Sequence, residues 1–165
     1  MLKPSECLAG PVSLARGMTL VIPRSSYEQL ALIVESEDKT HLVALDKEGR
    51  MPFMSFECEG NDRWAGLHIP AVSIELDESA LTDIDGYYAP AGSMVRKDDN
   101  LSICVSPSGQ TFGRAGILLP ILTGLPPCAE RSSACFLRWQ IVLGDGDAKR
   151  VLHVVDVSAN APPVN

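Results

Sequence analysis

Apolar residues along this chain fall in short runs broken by turn-forming residues, not in long helical stripes. Phe136–Leu143 and Arg150–Val157 are β-branched-rich runs separated by Gly144-Asp145-Gly146-Asp147-Ala148-Lys149. Gly and Asp tolerate the positive φ of tight turns, so this pattern predicts a β-hairpin. In its first strand Leu137, Trp139, Ile141 and Leu143 share one face, while Arg138 and Gln140 mark the other as wetter.

A second meander is predicted in the first third of the chain. Leu30–Glu35, His41–Asp46 and Pro52–Glu57 are apolar segments joined by charged turns at Ser36–Lys39 and Lys47–Arg50. Ser25-Ser26-Tyr27-Glu28 also fits a capping box that would start a helix through Val34. The Leu32-Ile33-Val34 run favours strand instead. Met18–Ile22 reads as a strand stopped by Pro23, and Trp64–Ile69 and Val72–Leu76 as strands broken at Pro70. Asp77–Leu81 suits one short helical turn, and Asn100–Val105 a strand ended by Ser106-Pro107-Ser108-Gly109. Residues 124–134 read as irregular or briefly helical.

Composition sharpens the fold class. The 13 Gly and 12 Pro among 165 residues are scattered without a period, which chops the chain into short strands and turns. The expectation is a mainly β, single-domain barrel or sandwich of about ten short, largely antiparallel strands with one or two short helical turns. Residues 1–158 would form that domain and 159–165 a flexible C-terminal tail.

Charge is unevenly placed. Residues 35–85 hold 13 acids against 4 bases, a net of −9, whereas the remainder carries +2. No Lys/Arg cluster of the kind that neutralises phosphates stands out, so no nucleic-acid partner is expected. The longest apolar run, Ala115–Leu125, is interrupted by Pro120 and is far short of the roughly 20 residues a bilayer requires. No membrane partner is expected either. Cys7, Cys58, Cys104, Cys128 and Cys135 make an odd count, and Pro4, Glu6, Gly10 and Pro11 interrupt any signal-peptide core. Both features point to a reducing, cytoplasmic compartment, with the cysteines acting mostly as small buried hydrophobes.

Signatures of chemistry are sparse. His41, His68 and His153 form no H-x-x-x-H and the cysteines no C-x-x-C, so no metal is expected. Asp83-x-Asp85-Gly86 and Asp145-x-Asp147 lack the further ligands of a calcium loop. The glycines of Gly109–Gly116 have the wrong spacing for a P-loop and no Lys, and no G-x-S-x-G elbow occurs. No cofactor is predicted.

Two features remain. Asp83–Pro90 carries two of the three tyrosines, residues suited to recognition. Gly116–Pro127 is apolar around Pro120, which cannot donate to a central ladder and so belongs at an edge or in a buried loop. The leading expectation is a non-catalytic binding or regulatory domain acting through protein–protein or small-ligand contacts. A homodimer would use Leu118, Leu119, Ile121 and Leu122 as its interface. The alternative is a small β-barrel enzyme or ligand carrier with a pocket between the sheets. Arg63, His68, Glu75 and Tyr87 are its candidate ligand-binding residues.

Overall fold

The structure is a computed structural model that describes residues 8–11, 18–23, 30–36, 38–45, 53–57, 65–82, 89–106, 116–123, 125 and 133–160. The chain divides into two compact units, Met1–Ser73 and Ile74–Asn165.

The first unit is built on β1 (Leu8–Pro11), β2 (Thr19–Pro23), β3 (Ala31–Ser36), β4 (Lys39–Ala44), β5 (Ser55–Glu57) and β6 (Ala65–Pro70). They form one sheet in the order β1-β6-β2-β3-β4-β5, with every neighbouring pair antiparallel. Facing residues in an antiparallel pair project to the same side. The register Val21↔Ala31 and Ile33↔Leu42 therefore puts these four on one face, where they form a buried cluster with Phe56 packed against it. Leu20, Leu32, Val34, Val43 and Ile69 are buried on the opposite face. Because β3 is covered on both sides, it reads as an unbroken apolar run, the pattern that leaves helix and strand hard to separate. Asp38 closes the β3–β4 turn at φ 64, a conformation Asp tolerates.

The capping-box reading starts at Ser25, which lies outside the described residues, but over 31–36 the chain is a strand. β1 was not anticipated, since Gly10 and Pro11 look like breakers. At the end of this sheet β1 pairs only with β6 among the described residues, a position where Pro and Gly are tolerated.

The second unit holds two sheets. One contains β8 (Leu81–Thr82), β9 (Met94–Lys97), β10 (Asn100–Val105), β11 (Ile117–Leu122) and β12 (Ser133–Phe136) in the order β11-β10-β9-β12-β8. The other contains β7 (Ser73–Leu76), β13 (Arg138–Leu143) and β14 (Arg150–Asp156) in the order β14-β13-β7. β13 and β14 are the hairpin expected from the sequence, with a register shift between Ile141 and Val142. Its turn uses Gly144 at φ 78 and Gly146 at φ 50.

The run 136–143, expected as one strand, changes sheet at Leu137. Phe136 ends β12 in the five-stranded sheet and Arg138 begins β13 in the three-stranded one. Its partner bends at the same level. A 3-10 turn, Glu78–Ala80, separates β7 from β8, and Asp77 N–H donates to Arg138 O at 3.1 Å while Leu137 N–H donates to Ala80 O at 3.0 Å. Bends of this kind make corners between sheets. Trp139, 1% exposed, fastens the corner by donating Nε1–H to Gly92 O at 2.7 Å.

Among the described residues all three sheets are open, and none closes into a barrel. The fold is mainly β, in short antiparallel strands with one-turn 3-10 segments at Glu78–Ala80, Gly146–Ala148 and Ser158–Asn160. The last of these carries regular structure two residues into the segment expected to be a free tail.

Candidate functional site

The face of β13 marked by Arg138 and Gln140 gathers charged side chains from three elements. Glu75 and Asp77, two positions apart on and just beyond β7, project to the same side. The ladder bond from Asp77 to Arg138 sets Glu75 beside Gln140 and Asp77 beside Arg138. Gln140 Nε2 donates to Glu75 Oε2 at 2.8 Å, and Lys149 Nζ donates to both Glu75 oxygens at 3.0 and 3.1 Å. Asp77 Oδ1 accepts from the Ser79 backbone N–H at 3.0 Å and from its hydroxyl at 2.6 Å. Arg138 Nε stands 3.7 Å from Asp77 Oδ2, an ionic contact too long for a hydrogen bond. Glu75, Asp77, Arg138 and Gln140, together with Leu76, Glu78, Trp139 and Val154, line an open groove of about 260 Å³.

Both carboxyls are held below their ordinary values. For Glu75 the main cause is the Gln140 amide, followed by Lys149. For Asp77 it is the Ser79 hydroxyl and backbone N–H, with Arg138 adding less. Hydrogen bonds to the ionised form stabilise it. A general acid at neutral pH needs the opposite shift, so Glu75 and Asp77 stand in the groove as ionised carboxylates already engaged by their neighbours.

Two other clusters bear on chemistry. Cys104 and Cys135 are free, fully buried thiols. Burial pushes Cys104 up to about 12, with Cys135 adding to the shift, and Cys104 Sγ donates to Ala89 O at 3.2 Å. Cys135 is raised by burial against an opposing hydrogen bond from Ser93. Neutral, enclosed thiols are poor nucleophiles. On β4 and β5, Ser55 Oγ lies 3.4 Å from His41 Nδ1. Glu57, opposite His41 in register, is held by Lys39 at 3.0 and 3.1 Å, so this carboxylate does not orient the imidazole as a catalytic triad requires.

Of the residues singled out in the sequence, Arg63 and Tyr87 lie outside the described residues. His68 is buried on β6 in the first unit, in register with Val21 of β2, and Glu75 belongs to the groove of the second. On β11, Leu119 and Ile121 turn inward at 8% and 9% exposure and Leu118 is half-buried, whereas Leu122 is 38% and Ile117 55% exposed. Arg138 and Gln140 were recognisable as a wet face and Glu75 was singled out, but Asp77, which faces Arg138, and Lys149, which holds Glu75, were not. The i, i+2 spacing of Glu75 and Asp77 is the one local signal that would have put both carboxylates on the same face of a strand. Among the described residues, no group of three or more His, Cys, Asp or Glu could hold a metal ion. Nor is any helix there long and apolar enough to cross a membrane.

Residues 9–163 match the family described as "Uncharacterised protein y4lG". The chain belongs to the y4lG family. A y4lG relative from Sinorhizobium fredii (strain NBRC 101917 / NGR234), named "Uncharacterized protein y4lG", is 34% identical over 152 residues, covering 92% of this chain and 91% of the relative. No solved structure matches the chain significantly. The y4lG match takes in the groove, the buried thiols and β11 alike.

Proposed function

We propose that this y4lG-family chain is a non-catalytic binding domain that acts through protein–protein contact, as a homodimer in a reducing, cytoplasmic setting. The observation that supports the reading is β11. This strand carries no charged residue, pairs only with β10 among the described residues, and leaves Ile117 and Leu122 exposed. Exposed apolar edges attract a further chain unless something blocks them. A second copy of the strand is apolar at every position, so it brings no charge to be desolvated. The free buried thiols at Cys104 and Cys135 agree with a reducing compartment.

The test is sedimentation equilibrium of the native chain beside an Ile117→Lys, Leu122→Lys double variant. The native chain is expected as a dimer, and the variant as a monomer that still unfolds in one cooperative thermal transition, because in the single chain both side chains face solvent and only the stabilisation from association is lost. A native chain that stays monomeric at tens of micromolar, or a variant that remains dimeric, overturns the proposal. Leu119→Lys serves as the contrast: its side chain is buried, so it unfolds the protein instead of separating subunits.

A further inference from the structure

We draw no further inference here: the strongest candidate, the polar groove on the outer face of the three-stranded sheet beside the exposed Val151 and Val154 of β14, has its Glu75 and Asp77 carboxylates already held by neighbouring side chains, and nothing in the structure shows what covers the valines.

Discussion

Gly116 stands where no side chain fits. A Cβ there would collide with Cys104 Sγ and lie 3.3 Å from Val105 O, and the thiol is itself tied to Ala89 O. Gly116→Ala is therefore expected to destabilise the fold by about 1–3 kcal/mol, the usual cost of overpacking. Removing the obstacle in the same chain, as Cys104→Ala, Gly116→Ala, is expected to recover part of that loss. Urea denaturation of both single variants and the double variant measures the coupling. Additive losses would mean that the sulfur is not what excludes the methyl group. The burial of Cys104 and Cys135 could be anticipated from an odd cysteine count in a large chain. The intolerance at Gly116 could not, because it arises where two neighbouring strands meet and not from local spacing.

At the level of elements, the hydrogen bond from Trp139 to Gly92 O joins the β13 sheet to the turn that leads into β9. Trp139→Phe keeps most of the ring but leaves that carbonyl unsatisfied, which is expected to cost about 1–3 kcal/mol. A shift in the urea midpoint at constant m-value checks it, and an unchanged midpoint would show that water replaces the indole. The β13–β14 hairpin was legible because its strands and turn are contiguous and its apolar alternation is regular. Pro120 pointed to an edge or a buried loop for β11, and among the described residues the strand lies at the end of its sheet. By contrast, β9 (Met-Val-Arg-Lys) and β12 (Ser-Ala-Cys-Phe) are too short and mixed to stand out, and they become strands through the neighbours they pair with. The groove was half legible for the same reason. Gln140 and Glu75 are 65 positions apart, so only the β7–β13 pairing brings them together. The change of sheet at Leu137 likewise depends on a matching bend in β7–β8, which no local pattern announces.

For the whole molecule, the depressed carboxyls of Glu75 and Asp77 link stability to pH. Their ordinary values are 4.5 and 3.8, and both are lower in the folded chain. The unfolded state therefore binds protons first as pH falls. The stabilising contribution is complete above those ordinary values and disappears as pH drops through the folded ones. A Glu75→Gln, Asp77→Asn variant is expected to lose stability less steeply than the native chain below about pH 4.5. Added salt should narrow the difference, because these groups are solvent-accessible. Parallel stability curves in urea titrations across that range would show that neither pair is linked to folding. The corner at Leu137 carries a different consequence. Since β12 runs directly into β13, and β7 into β8 through a single turn, neither sheet of the second unit can open without dragging the other's ladder apart. Native-state hydrogen exchange should then find the amides of β9, β10 and β13 merging into one opening reaction as denaturant rises, the behaviour of a single foldon. Separate isotherms would mean that the corner acts as a hinge between two independently breathing layers.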